Sequence, residues 1–133
     1  MDTNSWSKLP RAVALCAWAV LGCSTAGAQS GNDCARATTQ AEATACAGQR
    51  YAAADKRLTG LYNQAAAALG TPQRAALARS QREWARFRDD AARVYKLLYR
   101  GGSMAALAVL TCKTEATRAR IAQLRILLEQ AKQ

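Results

Sequence analysis

The apolar positions of this chain recur at alternating spacings of four and three residues in three successive segments. The stripes cover residues 47–68, 77–98 and 107–131. This spacing places the apolar side chains on one face of an α-helix. No segment shows the strict alternation that is typical of a half-buried strand. The pattern therefore predicts three amphipathic helices and an all-α fold.

Capping signals mark where these helices begin and end. Thr39 and Glu42 fit a capping box, in which each residue satisfies a free backbone N–H group of the other. Gly70 ends the first helix, and Thr71, followed by proline, is predicted as the N-cap of the second. Ser103 is predicted to cap the third helix after a Gly-Gly pair. Because the connections are short, we expect a small antiparallel three-helix bundle.

The large side chains of the first two stripes fall at one level of this bundle. Trp84 and Phe87 of the second helix are expected to pack against Tyr51, Leu58 and Leu61 of the first. We interpret the cluster as core, because an aromatic stripe at helical spacing is more often core than a binding box.

Residues 1–28 have the pattern of a secretory signal peptide. Lys8 and Arg11 form a positive n-region, an apolar run follows at 12–22, and an A-x-A cleavage site ends at Ala28. The run is shorter than the roughly 20 residues that a transmembrane span needs. We therefore expect cleavage after Ala28.

Cleavage there leaves residues 29–133 as one exported helical domain. Residues 20–23, Val-Leu-Gly-Cys, are also close to a bacterial lipobox, which would make Cys23 a lipid anchor. Either route places the protein outside the cytoplasm, in the periplasm or cell envelope of a bacterium.

Three cysteines remain after the leader: Cys34, Cys46 and Cys112. An odd number in an oxidising compartment allows one intramolecular bridge and one unpaired thiol. Counting residues outward from the turns places Cys46 and Cys112 at similar heights. Cys34, in the lead-in to the first helix, could reach Cys112 instead, so the pairing stays open. A bridge to the third helix would contribute about 2–4 kcal/mol.

The sequence contains no histidine. This excludes His-based acid–base catalysis, Ser–His and Cys–His nucleophile pairs, and ordinary zinc sites. Carboxylates are few, and none are paired at an evident catalytic spacing. We expect no enzyme activity, no cofactor and no metal.

Positive charge dominates the chain, which has 19 basic and 9 acidic residues. Removing Asp2, Lys8 and Arg11 with the leader leaves 17 and 8, a net charge of +9. Such a protein favours anionic partners, although export argues against nucleic acid. The second helix carries one outward basic stripe, proposed for binding: Arg79, Arg82, Arg86, Arg93, Lys96 and Arg100.

Two features of this region have both a functional and a purely structural interpretation. The basic stripe could bind phosphate or carboxylate groups, or it could be a solvated face with Arg86–Asp90 and Asp89–Arg93 pairs. The turn Gly101-Gly102-Ser103 could enter a partner's cleft or offer backbone N–H groups to an anion. It could equally be a C-cap followed by an N-cap.

Short motifs in a fixed order resemble those of the lysozyme inhibitor LprI-like N-terminal domain family, a group of exported bacterial domains. The resemblance covers nearly all of residues 29–133. It rests on the segment TQAEATACA, on QREW with FRD, on GGS and on the cysteines. The matching positions include Tyr51, Asp55, Trp84, Phe87, Arg88, Asp89 and Arg118.

The chain departs from the family pattern at two places. It has Ala43-Thr44 where the family usually has methionine and asparagine. It has Ala91-Ala92 where the family usually carries a cysteine, which accounts for the odd cysteine count.

The resemblance implies an envelope protein that inhibits a lysozyme-like muramidase by protein–protein binding, without catalysis. A basic lysozyme would be repelled by a net charge of +9, so inhibition would need a local acidic patch, for which Asp89-Asp90 is the candidate. The alternative is a basic helical module that binds envelope polyanions or anionic lipid headgroups.

Overall fold

The computed structural model describes residues 33–133. A short 3-10 helix, Asp33–Arg36, precedes three long helices: α1 (Gln40–Ala68), α2 (Thr71–Leu98) and α3 (Ser103–Ala131). The described part of the chain contains no strand, so the predicted all-α class with three helices is confirmed. The predicted signal peptide and the candidate anchor Cys23 lie outside the described residues.

The start of α1 follows the prediction, and the other two helix starts differ by one residue. The Thr39 hydroxyl accepts a bond from the Glu42 N–H at 3.2 Å, and the Glu42 carboxylate accepts one from the Thr39 N–H at 3.0 Å. Thr71 and Ser103 are first helical residues instead of N-caps. The preceding glycines are the N-caps and make no side-chain capping bond. Both predicted hydroxyl caps are therefore wrong.

Helix α3 lies at the centre of the fold and packs against both other helices, whereas α1 and α2 touch each other little. Leu61 and Trp84 pack against the core cluster, as predicted. The predicted apolar stripe of α3 is its buried face. The buried core cluster draws on all three helices: Leu58, Ala65, Leu77, Ile121, Leu124 and Leu128.

The inward face of α2 differs from the predicted stripe by one residue. Phe87, predicted as core beside Trp84, is 66% exposed, and Val94 and Leu98 are exposed as well. The residue after Phe87, Arg88, is turned inward instead. The buried and half-buried side of α2 includes Leu77, Gln81, Trp84, Arg88 and Ala92, with the alanines at 78, 85 and 91 beside them.

Arg88 is the polar centre that fixes this orientation. Its guanidinium bonds Asp55 of α1 at 3.2 Å and Asp89 at 3.0 Å, and only 12% of the side chain is exposed. The group also lies 5.1 Å from the Trp84 ring centroid and 5.6 Å from that of Tyr51. These contacts combine charge-assisted hydrogen bonds with cation–π attraction. Arg88 thereby joins α1 to α2.

Helix α3 enters the same cluster through Lys113. Its ammonium group lies 3.1 Å from Asp89 and 5.8 Å from the Tyr51 ring centroid. Burial opposes ionisation of Asp89, but the bonds from Arg88 and Lys113 outweigh it and hold the pKa of Asp89 below its usual value. Burial likewise opposes the charge of Arg88, yet its hydrogen bond to Asp89 and nearby electrostatic interactions raise its pKa. All three helices therefore meet at one ionised cluster.

The contacts define which helix ends lie together. Along α2 and α3 they run in opposite sequence order, since Gln81 bonds Arg120 whereas Asp89 bonds Lys113. Gly48, near the start of α1, lies close to Leu110 of α3, since a Cβ atom built on the glycine would be 4.0 Å from the Leu110 side chain. The start of α1, the end of α2 and the start of α3 therefore share one end of the molecule, which we call the turn end.

The disulfide joins Cys34 to Cys46, with Cα atoms 5.4 Å apart, and Cys112 is a half-buried free thiol. Both considered bridges to Cys112 are therefore wrong. The formed bridge closes a local loop between the 3-10 helix and α1, so it ties no two long helices together. Cys112 lies instead in the groove between α2 and α3, together with Ala91.

We expect Arg88→Ala to destabilise the fold by about 2 kcal/mol, because it removes charge-assisted bonds to Asp55 and Asp89 and the packing of the guanidinium on the rings of Tyr51 and Trp84. The measurement is denaturant unfolding followed by circular dichroism. Arg86→Ala is the matched control on the same helix: Arg86 is exposed and pairs only with Glu83, so its loss should cost less than about 1 kcal/mol. Equal losses for the two variants would show that the Arg88 cluster has no special role.

We expect Ala91→Cys to form a second disulfide with Cys112, because both positions line one groove. The bridge would connect α2 to α3 and add about 3 kcal/mol of stability. Intact mass and a free-thiol count under non-reducing conditions measure it. Ala75→Cys, on an exposed α2 position remote from Cys112, should leave both thiols free. Two free thiols in Ala91→Cys would contradict the expected geometry.

Candidate functional site

The six basic side chains proposed for binding are all exposed on α2. They lie on the side of the helix turned away from its buried residues, and we call this surface the basic α2 face. Its members are Arg79, Arg82, Arg86, Arg93, Lys96 and Arg100.

Two members of the basic α2 face have a carboxylate within 4 Å among the described residues. Arg86 bonds Glu83 at 3.0 Å, and Arg93 lies 3.9 Å from Asp90. Both pairs are spaced three residues apart, so the predicted four-residue pairs are not the ones formed. Arg79 and Arg82 have no carboxylate partner within the described range, so their guanidinium groups are available to an external anion.

The acidic patch considered for a basic lysozyme is largely neutralised. Asp89 accepts bonds from Arg88 and Lys113, and its lowered pKa reflects them. Asp90 is exposed beside Arg93. Asp89 is therefore not a free negative charge, and Asp90, 3.9 Å from Arg93, would have to attract a cationic enzyme alone.

The Gly-Gly-Ser turn is exposed at the turn end, and its backbone is used internally. Arg100 and Gly101 have positive φ values of 49° and 72°. The Gly101 N–H bonds the Lys96 carbonyl at 3.3 Å, and the Gly102 N–H bonds the Tyr99 carbonyl at 2.9 Å. These two N–H groups are therefore occupied in closing α2. The exposed surface of the turn and the Ser103 side chain remain open to a partner.

Large apolar side chains gather beside this turn. Among the described residues, seven of the eight exposed large apolar side chains lie between positions 87 and 104, and each is 41–71% exposed. Phe87, Tyr95, Tyr99 and Met104 line a groove of about 550 Å³ between α2 and α3, whereas Val94, Leu97 and Leu98 are exposed on the last turns of α2 outside it. We call this surface the apolar end; it comprises Phe87, Val94, Tyr95, Leu97, Leu98, Tyr99 and Met104. Sequence reasoning missed it because part of it was assigned to the core.

A second basic surface lies between α1 and α3. Arg50, Arg57, Arg118 and Arg125 line one groove of about 560 Å³, with small alanines at its floor. Arg118 alone among these four has a carboxylate neighbour in the described chain, Glu115 at 2.9 Å. The sequence signal was a seven-residue spacing in each helix, which places each pair on one face. We call this surface the arginine groove.

Arg120 is a further cation that sequence reasoning did not single out. It lies between α2 and α3, donates to Ser80 at 2.8 Å, to Gln81 at 3.0 Å and to Gln123 at 3.1 Å, and stacks 6.0 Å from the Trp84 ring. Burial lowers its pKa. Because the guanidinium of Arg120 on α3 donates to Ser80 and Gln81 on α2, it stabilises the contact between the two helices.

Two absences within residues 33–133 bear on the site. No group of three or more His, Cys, Asp or Glu side chains there could hold a metal ion. No helix in that range is long and apolar enough to cross a membrane.

Comparisons with known proteins place the chain in a family. The profile of a family described as "Lysozyme inhibitor LprI" matches residues 32–124. An uncharacterized protein of Rhizobium meliloti (strain 1021) is 34% identical over an alignment of 131 positions. The match covers 86% of this chain and 94% of the relative. No solved structure matches significantly. The chain belongs to the lysozyme inhibitor LprI family.

Proposed function

We propose that this chain is an exported protein of the bacterial envelope that inhibits a lysozyme-like muramidase by protein–protein contact. The family match over residues 32–124 carries the proposal. The antiparallel bundle acts as a rigid support for a binding surface, and it performs no catalysis.

Export is supported by the leader pattern and by sulfur chemistry. Residues 1–28 have the features of a cleaved signal peptide, with Cys23 as the alternative lipid-modified N-terminus. The Cys34–Cys46 bridge suits an oxidising compartment such as the periplasm.

The inhibitory contact uses the first part of the basic α2 face, Arg79, Arg82 and Arg86. A glycoside hydrolase that cuts peptidoglycan carries a pair of carboxylates in its cleft, so the cleft is locally acidic whatever the enzyme's total charge. Arg79 and Arg82 can donate bidentate bonds to such carboxylates, and the turn at Gly101, Gly102 and Ser103 extends the same helix. A contact between Asp89-Asp90 and a basic lysozyme lacks support, because Asp89 is already paired with Arg88 and Lys113. The positive net charge favours a target that is not itself strongly basic.

A second candidate function is binding of an anionic envelope polymer. The arginine groove favours it, because guanidinium groups from two helices line one concavity and Arg50, Arg57 and Arg125 lack carboxylate partners in the described chain.

We expect the triple variant Arg79→Gln, Arg82→Gln and Arg86→Gln to weaken inhibition by about tenfold, because charge-assisted bonds to the cleft are lost. The measurement is lysis of a peptidoglycan suspension by several muramidases, acidic and basic, titrated with the protein. A matched triple variant in the arginine groove, at Arg50, Arg57 and Arg125, removes the same charge and should leave inhibition unchanged.

Three outcomes discriminate between the candidates. Equal weakening in both triple variants would reduce the effect to net charge and refute a specific α2 contact. No inhibition of any muramidase by the unmodified chain would refute the proposed function. Salt-sensitive binding of lipopolysaccharide that is lost only in the arginine-groove variant would establish the second candidate.

A further inference from the structure

The apolar end is unlike the rest of the described surface. Seven large apolar side chains are exposed there, whereas Ile126 is the only other one of that kind in the described chain. Monomeric soluble proteins rarely expose contiguous apolar patches of this kind unless the patch binds something. The question is therefore which partner covers it.

Charge identifies the partner as anionic. From residue 91 to residue 114 the chain has no acidic residue and four basic ones: Arg93, Lys96, Arg100 and Lys113. The next residue, Glu115, lines the groove, but its carboxylate is paired with Arg118 at 2.9 Å. Lys113 is paired with Asp89, which leaves Arg93, Lys96 and Arg100 beside the patch. Among the described residues, the shortest contact of these three with a carboxylate is 3.9 Å, between Arg93 and Asp90. A second copy of this chain would bring the same positive charges against them. An apolar surface rimmed by cations matches the interface of an anionic bilayer.

We propose that the apolar end docks the protein on the surface of an anionic bilayer. Leu97, Leu98 and the neighbouring aromatic side chains enter the interface between headgroups and acyl chains, while Lys96 and Arg100 contact lipid phosphates. Binding is peripheral. Arg79, Arg82 and Arg86 lie about 16 Å or more along the helix from Leu97 and Leu98, at a rise of about 1.5 Å per residue, so these three arginines stay clear of the bilayer.

The first test is co-flotation of the full chain with vesicles of phosphatidylglycerol and phosphatidylcholine, against vesicles of phosphatidylcholine alone. We expect binding to the anionic vesicles only. Leu97→Ser combined with Leu98→Ser should lower the bound fraction by about tenfold. Ile126→Ser is the matched control, since Ile126 is exposed on α3 outside the patch. All three replaced side chains are solvent-exposed, so circular dichroism should show unchanged folding.

The second test separates insertion from headgroup attraction. Tryptophan at position 97 (Leu97→Trp) should shift to shorter emission wavelength on anionic vesicles and be quenched by brominated acyl chains. Tryptophan at position 126 (Ile126→Trp) should show neither change beyond the background of the unmodified chain.

Several results would overturn the proposal. The first is equal vesicle binding by the Leu97→Ser, Leu98→Ser double variant and the unmodified chain. The second is equal binding of the unmodified chain to neutral and anionic vesicles. The last is binding that high salt abolishes, with no quenching of Leu97→Trp. The last result would leave only headgroup attraction. A dimer in sedimentation that the Leu97 and Leu98 substitutions dissociate, without vesicle binding, would assign the patch to a contact between copies.

Discussion

The ionised cluster around Arg88 is the constraint on which the rest of the structure depends. A guanidinium that is 12% exposed must keep its carboxylate partners, because an unpaired charge in that position is costly. Asp55, Asp89 and the rings of Tyr51 and Trp84 can surround it in one rotation of α2 only. That rotation turns Phe87, its chain neighbour, toward solvent. The apolar end is thus a consequence of a polar interaction.

The sulfur chemistry complements this arrangement without replacing it. The Cys34–Cys46 bridge orders the entry to α1 and leaves the contacts among the long helices to packing and to the Arg88 cluster. Cys112 stays free in the groove between α2 and α3, opposite a position where an alanine stands. The end of α2 lacks a covalent link to α3, and its large apolar side chains remain uncovered in the described structure.

The surfaces divide the molecule by chemistry. The basic α2 face offers unpaired guanidinium groups near the start of that helix, and the apolar end offers hydrocarbon rimmed by cations near its finish. The arginine groove adds a separate concave basic surface between α1 and α3. An inhibitor that rests on a membrane through one end would keep its basic face free for an enzyme that attacks the adjacent peptidoglycan. The two proposals are compatible because Arg79, Arg82 and Arg86 near the start of α2 contact the enzyme, whereas Lys96 and Arg100 near its end contact lipid.

The sequence by itself determined the three helices, the capping box at Thr39 and the buried stripe of α3, because periodicity and capping are local properties of the chain. It also limited the cysteines to one bridge and one free thiol. The sequence did not determine which face of α2 turns inward. Phe87 and Arg88 are adjacent, and the apolar spacing alone predicted that Phe87 would be the buried one. Tertiary structure also decided the partner of Cys46 and the meeting of the four groove arginines. These features depend on which helices touch and at what height, and that information becomes available only when α3 packs between the other two.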